Sequence, residues 1–520
     1  LTLAAGTGSI ANLVAWRVAE RPSFPLLYVE DRGPWTIGQI AASASDVAVR
    51  LERAGVRPGS RVVLRLGNDE RFLAALVGVW LCRAAAIAMH PAAPADDLER
   101  VVSDFAASAI IGDPTDALFG SGWVGLDRID LGLADASRLP VPELSDDTEA
   151  IVLLTSGSTG RPKGVVLTHA NAWANLAATA SAFRRQPGPS PLPVDTKPPN
   201  LVANPFSHTG GLVRLLFALY VGRSLVILRK FDAAKTKAAI DAHGIDQLTI
   251  NPTMLRMLLE GIPEGEGLGA VRYVSSGTAP LPDGLRRQFE QRFGVPVLQA
   301  YGQTEAFGAI AIENVKDVLA GRRRPNSVGK PLPGVEVRIA GGVSADGGRP
   351  VDGGRSADGE ILVRSRSATA GYASRENTEP SPIDADGWLH TGDLGHLDTD
   401  GYLYVTGRIK DLIICGGFNI VPAEIEAALE RDPAIREAAV VALPDARLGE
   451  IPIALVETTA SGSDAAAILD GTRDSLVSYK RPRGLFVVAA LPRLASGKVD
   501  KGAARRLAAE LVAASPAPSP

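Results

Sequence analysis

From Arg61 onward, short apolar runs alternate with amphipathic stretches, and this alternation limits the fold more than any other feature. Val62–Leu66 reads as a strand, Glu70–Leu81 as a helix and Ala85–Met89 as a strand; a helix around Asp96–Phe105 and a strand at Ala109–Ile111 follow. Alternation of this kind predicts a largely parallel sheet covered by helices. The pattern resumes with strands expected at Leu201–Asn204, Ser224–Leu228, Gln247–Ile250, Arg272–Val274 and Val295–Gln299. From Lys330 the character changes. Val335–Ile339 and Glu360–Arg364 are joined by a Gly/Asp-rich loop, and dense turn signals through Gly407 predict a β-rich subdomain. Beyond Arg408 the strands Ala438–Leu443, Ile453–Val456 and Leu485–Val488 mark a compact α/β segment. The expected class is α/β: a large N-terminal region (1–409) of parallel α/β sheets plus a β-rich subdomain, then a small mobile C-terminal α/β domain (410–520).

With 520 residues the chain can build two to four domains with large cores. A formal net charge of −4 offers no electrostatic reason to expect nucleic acid or an anionic membrane as partner. Two cysteines, Cys82 and Cys415, are too few for a disulfide framework and predict a reducing, cytoplasmic setting. The apolar run Phe72–Cys82 is broken by Arg83, too short to span a bilayer, and reads as a core helix. No basic segment followed by an apolar run opens the chain, so no secretory signal is expected. Gly6-Thr7-Gly8-Ser9-Ile10-Ala11 has dinucleotide-fingerprint spacing but no room for the strand that motif needs; Ser9 is expected to cap a helix through Val14 and Val18. After a helix near Asn171–Phe183, six prolines in 184–200 predict an exposed, mobile loop. The sequence leaves the oligomeric state open, a homodimer included.

The stretch Leu153–Gly164 has a different character. A buried strand, Ile151–Leu154, runs into a hydroxyl- and glycine-rich loop, and Val165–Leu167 follows as a strand. Gly157 and Gly160 let several N–H groups converge. Thr155, Ser156, Ser158 and Thr159 add hydroxyls, and Lys163 adds a charge. Such a loop suits a polyphosphate. It is not the common P-loop, which needs Ser or Thr after the lysine, where Gly164 stands. Tyr301-Gly302-Gln303-Thr304-Glu305 follows a strand: a tyrosine can stack on a purine, Thr304 can donate to phosphate and Glu305 can hold Mg²⁺. In Trp388-Leu389-His390-Thr391-Gly392-Asp393, Asp393 can accept ribose hydroxyls, and Arg408 can donate to the same sugar. The segment Asn204–Leu212 sits at a strand end, where α/β folds bind ligands; from these residues alone His208 is either a helix cap or part of a pocket.

In this order the motifs resemble those of the adenylate-forming superfamily, which includes acyl-CoA synthetases, peptide-synthetase adenylation domains and firefly luciferase. The resemblance runs from Ile151 to Val499 and is nearest to fatty-acid or aryl acyl-CoA ligases. It implies an AMP-forming acid–thiol ligase that uses ATP, Mg²⁺ and CoA on a small-molecule carboxylic acid. By that likeness His208 borders the acyl pocket, although Ser207 stands where an aromatic residue is usual. Ser207 also replaces the aspartate that holds an amino group in peptide-synthetase domains, which favours an amine-free acid. The backbone at Gly277 and Thr278 is implied to contact adenine and acyl group, and Lys410 to be the hinge. Gly416 and Gly417 would border the pantetheine tunnel, Cys415 being a packed thiol. Pro492-Arg493-Leu494-Ala495-Ser496-Gly497-Lys498-Val499 resembles the loop of the catalytic lysine, hence Lys498. Lys480 and Arg481 are candidates for CoA phosphates. Three other readings stay open: an acyl-AMP ligase loading a carrier protein, a luciferase-like oxygenase and a non-catalytic nucleotide-binding relative. Arg214, in the helix after His208, is expected to snorkel to solvent; the alternative is that it meets a polar group on the substrate.

Overall fold

The computed structural model describes residues 8–30, 32–116, 118, 123–125, 139, 141–156, 162–183, 197–341, 358–373, 380–459, 465–472, 476–494 and 497–514. The middle of the glycine-rich loop (157–160), most of the proline-rich stretch (184–196) and the C-terminal tail lie outside these residues.

The alternating pattern becomes a seven-stranded sheet. Its parallel body is Glu149–Ser156, Ala85–Met89, Arg61–Arg65, Ala107–Gly112 and Trp123–Gly125, in that spatial order. Pro162–Thr168 and then Gly371–Ala373 extend one edge antiparallel. The glycine-rich loop therefore links the two strands of a hairpin at the junction of the parallel and antiparallel parts. Helix Glu70–Leu81 starts where Asp69 accepts from the Arg71 amide and is apolar on nearly every side. A helix of that composition has to be buried. It is pinned by Trp80, whose indole N–H donates to the Ala150 carbonyl at 3.0 Å, on the strand leading into the loop.

A second parallel array, Gln247–Ile250, Tyr273–Ser276 and Val297–Gln303, is continued by antiparallel Gly308–Ile312 and Lys330–Pro331. The β-rich subdomain is an antiparallel sheet of Glu336–Ala340, Gly359–Arg364, Leu389–Leu397 and Leu403–Arg408. The C-terminal part builds its own sheet around Ile435–Asp445 and Gly449–Thr458, with Gly484–Val487 parallel to the latter and a core including Ile425, Val440 and Val456.

The first sixty residues were not legible as strands. Pro25–Val29 and Arg32–Thr36 form an antiparallel pair, and Pro25–Val29 also runs parallel to Leu225–Ile227, with Leu27 opposite Leu225. Helix Ile37–Arg53 opens on a capping box, Thr36 and Gln39 each bonding the other's backbone. The expected Ser9 cap is corrected: Ile10 is the N-cap of helix Ala11–Glu20, no side chain caps it, and Ser9 is buried with its hydroxyl unpartnered. Cys82 and Cys415 are both free and buried. Among the described residues no helix is long and apolar enough to cross a membrane.

Candidate active site

A cavity of about 2950 Å³ lies between the large N-terminal region and the C-terminal part. Thr155, Lys163, His208, Gly277, Thr278, Tyr301, Thr304, Glu305, Asp393, Arg408, Lys410 and Lys498 all line it. Twelve of the residues singled out in the sequence thus converge on one space. Gly416 and Gly417 do not: they form the exposed turn between Ile413–Cys415 and Phe418–Ile420, both with positive φ. Ser156 ends its strand at the described edge of the loop, while Gly157, Ser158, Thr159 and Gly160 fall outside the described residues.

Tight backbone packing explains several motif glycines. A Cβ at Gly302 would sit 1.9 Å from the Gly308 carbonyl oxygen, across the hairpin that presents Tyr301 and Glu305. A Cβ at Gly211 would sit 2.2 Å from the Pro205 carbonyl oxygen, so only glycine lets helix Thr209–Val221 close on the segment before it. Gly164, which sets the loop apart from a P-loop, would place a Cβ 2.4 Å from the Phe105 ring. Thr278 holds a positive φ of 70°, a strained conformation for a β-branched residue, at the cavity wall.

The polar groups form two linked sets. Asp393 lies opposite Arg408 in the β-rich sheet; its carboxylate meets Arg408 Nε at 2.8 Å and accepts from the Tyr301 hydroxyl at 2.7 Å. Burial raises the Asp393 pKa, against the pull of Arg408 and Tyr301. Burial also pushes the Tyr301 hydroxyl up, with Asp393 adding to it, so the phenol stays a donor. In the second set, Glu305 accepts from the Tyr372 hydroxyl at 3.1 Å, and the Lys163 ammonium lies 5.2 Å from the Tyr372 ring centre. The Thr304 and Thr209 hydroxyls are 2.8 Å apart, tying the Glu305 segment to the helix that follows His208. Tyr372 and Thr209 were missed in the sequence. Thr209 neighbours a motif residue, whereas Tyr372 carried no local signal and reaches Glu305 only because its strand joins the sheet edge.

His208 begins helix Thr209–Val221 but caps nothing with its side chain. Burial, with His90 and Lys498 nearby, lowers its pKa to about 4, so the ring is neutral at pH 7. Ser207 Oγ, His208 Nε2, Ser276 Oγ and Gln303 Nε2 are buried in the cavity wall and lack hydrogen-bond partners among the described residues. Buried polar atoms rarely stay unpaired, and four around one space fit a polar ligand.

Lys498 arrives from the C-terminal part. Desolvation lowers its pKa; Arg408 and Lys410 push the same way, and Asp393 opposes them. Its loop is held by the Thr253 hydroxyl, which donates to the Gly497 carbonyl at 3.0 Å. On the same helix, Pro252–Gly261, Arg256 donates to the Arg436 carbonyl at 2.7 Å, and Glu260 pairs with Arg436. Lys480 is engaged by Glu424 at 2.5 Å, and Arg481 donates to the Leu476 carbonyl at 3.0 Å, so both are committed within the C-terminal part. Among the described residues no group of three or more His, Cys, Asp or Glu could hold a metal ion alone. Mg²⁺ at a nucleotide site keeps waters and phosphate oxygens and needs one or two carboxylates. Glu305, with one oxygen taken by Tyr372, fits that role.

A nucleotide-binding α/β enzyme with a separate C-terminal lysine domain is the class this fold and cavity define. The AMP-binding enzyme pattern matches residues 14–373, and the pattern of the AMP-binding enzyme C-terminal domain matches residues 424–498. The chain belongs to the AMP-binding enzyme family. It is 34% identical to a sulfoacetate–CoA ligase of Cupriavidus necator, over 95% of this chain and 96% of that one. Its structure is similar to o-succinylbenzoate CoA synthetase from Bacillus subtilis in complex with the acyl-adenylate intermediate, with a TM-score of 0.79, 27% identity, and 94% and 97% of the two chains covered. The same B. subtilis enzyme with ATP and magnesium ion gives a TM-score of 0.79 at 28% identity, covering 94% and 98%.

Proposed function

We propose that the chain is an ATP-dependent acyl-CoA synthetase that activates an amine-free carboxylic acid as its adenylate and passes the acyl group to CoA. In the first half-reaction a carboxylate oxygen bonds to the α-phosphorus of ATP and the bond to pyrophosphate breaks. Lys498 lies between two anions that repel each other, and its ammonium lowers that barrier. Lys163 and the hydroxyls of Thr155 and Thr304 hold phosphate oxygens. Glu305 is the carboxylate for Mg²⁺, which when bound neutralises charge on the leaving pyrophosphate. Asp393, set by Tyr301 and Arg408, receives the ribose. Neutral His208 and Ser207 border the acyl group. In the second half-reaction the CoA sulfur bonds to the acyl carbon and AMP leaves. For this the part beyond residue 409 turns about Lys410, taking Lys498 out and bringing the turn at Gly416 and Gly417 in.

The observation that carries this reading is the presence of Lys498, from the C-terminal part, in the cavity lined by Thr304, Glu305 and Asp393. The expected fatty acid fits poorly. The cavity wall includes Arg214, a cation that a long alkyl chain would leave without a counter-ion. The relatives named above are named for sulfoacetate and o-succinylbenzoate. A panel of short carboxylic acids in an ATP–pyrophosphate exchange assay tests adenylation, and free CoA as acceptor tests the ligase step. Exchange with no acid would overturn the enzyme reading. Exchange without CoA thioester, but with loading of a phosphopantetheinyl protein, would replace CoA by a carrier.

A further inference from the structure

Helix Thr209–Val221 has two faces of opposite character. Leu212, Leu215, Leu216 and Leu219 are fully buried in the main core. Gly210, Val213, Arg214, Phe217 and Val221, spaced at helical period, line the cavity instead. Arg214 is the only charged residue on that face. The expectation that it snorkels to solvent is therefore wrong: the helical period points it into the cavity wall, where burial pulls its pKa down to about 10.

Arg214 makes no hydrogen bond or ion pair with any described residue. The polar groups around it are already engaged. The Tyr273 hydroxyl, whose electrostatic influence reaches Arg214, donates to Gln247 Oε1, and Gln247 Nε2 donates to Asn200 at 2.6 Å. Asp246, an acid in the same wall, is held by Arg223. Arg214 is half-buried in the cavity wall, so its guanidinium, with no protein counter-ion among the described residues, is open to an anion on a ligand. Its fork of donors is shaped for a planar or tetrahedral oxyanion.

We propose that the acid activated here carries a second anionic group, a carboxylate or a sulfonate, bound by Arg214 at the far end of the acyl pocket. This rests on the acyl-CoA synthetase reading and names its substrate class. The helix also sets the length of that substrate. Thr209 touches Thr304 at the adenylation end, and Arg214 lies five residues on, about 7.5 Å along the axis. Helical side chains lean back toward the N-terminus, which shortens the gap. A spacer of a few carbons or one ring fits between the two anions; a long chain does not.

The test measures kcat/KM for ATP–pyrophosphate exchange with matched short acids ending in a carboxylate, a sulfonate or the neutral methyl ester. Wild type should prefer at least one anionic acid over the ester by about 100-fold, the scale of a charge-assisted hydrogen-bond pair. In Arg214→Ala and Arg214→Gln that ratio should collapse towards one, while Arg214→Lys retains part of it. Arg214→Gln keeps polarity and much of the volume, so a folded variant is available if the alanine variant is not. The carboxylate and sulfonate arms tell which anion is preferred. Equal use of ester and anion by wild type, or a ratio unchanged in Arg214→Gln, overturns the proposal while leaving the synthetase reading intact. Exchange with no acid overturns both.

Discussion

In the proposed adenylation Lys498 works only as a cation, and its surroundings make that charge hard to keep. Burial, Arg408 and Lys410 lower its pKa, and Asp393 only partly compensates. The charge is lost as pH rises through that lowered value, so the alkaline limb of adenylation kcat/KM should bend down below pH ~10.4, where an unperturbed lysine titrates. Lys498→Ala should remove the bend and slow adenylation by about 100- to 1000-fold. Thioester formation from supplied acyl-adenylate should survive in that variant; equal loss of both half-reactions would sink the two-conformation scheme. His208, with a pKa of about 4, predicts the opposite kind of result: no histidine inflection near pH 6.5 in the same profile. An inflection there that vanished in His208→Asn would show a ring that titrates with a normal pKa.

Among the elements, the hairpin of Val297–Gln303 and Gly308–Ile312 matters most, because it carries Tyr301, and the turn at its tip carries Thr304 and Glu305. Its strands cross so closely at Gly302 that a methyl group has no place. Gly302→Ala should therefore cost about 1–3 kcal/mol in urea unfolding, as overpacking does, and raise KM for MgATP. Gly417→Ala is a useful contrast. Nothing lies within 4 Å of its Cβ position, and only its φ of +84° opposes a side chain, a cost of about 1 kcal/mol with no effect expected on MgATP. Equal KM values for the two variants would mean that the hairpin does not position the nucleotide.

Across the whole molecule, helix Pro252–Gly261 fastens the C-terminal part in the position that places Lys498 in the cavity. Part of the fastening is light. The Arg436–Glu260 pair leaves the two side chains 40% and 51% exposed, and such pairs contribute about 0–1 kcal/mol. A weak contact suits the proposed departure of this part after adenylation. Arg256→Ala, which removes the donor to the Arg436 carbonyl, should slow adenylation by up to about fivefold and leave thioester formation from supplied acyl-adenylate as fast or faster. Stopped-flow measurement of each half-reaction decides. A variant slowed only in the thioester step would assign Arg256 to the other conformation.

Periodicity and turn chemistry act over a few residues, and what depends on them was readable in the sequence. Helix Glu70–Leu81, strand Ala85–Met89 and strand Gln247–Ile250 form where their patterns place them. The motif order also marked twelve of the residues that line the cavity. Tertiary structure decided what depends on distant packing. Pro25–Val29 stands outside the alternating pattern that marks the other strands, and becomes one by pairing with Leu225–Ile227, some 200 residues away. Tyr372 meets Glu305 only because a three-residue strand adds to a sheet edge. An arginine on an amphipathic helix reads as solvent-bound until the leucine face is seen to fill the core. Arg214 then points into the cavity wall, and its lack of a partner among the described residues is what the proposed substrate class rests on.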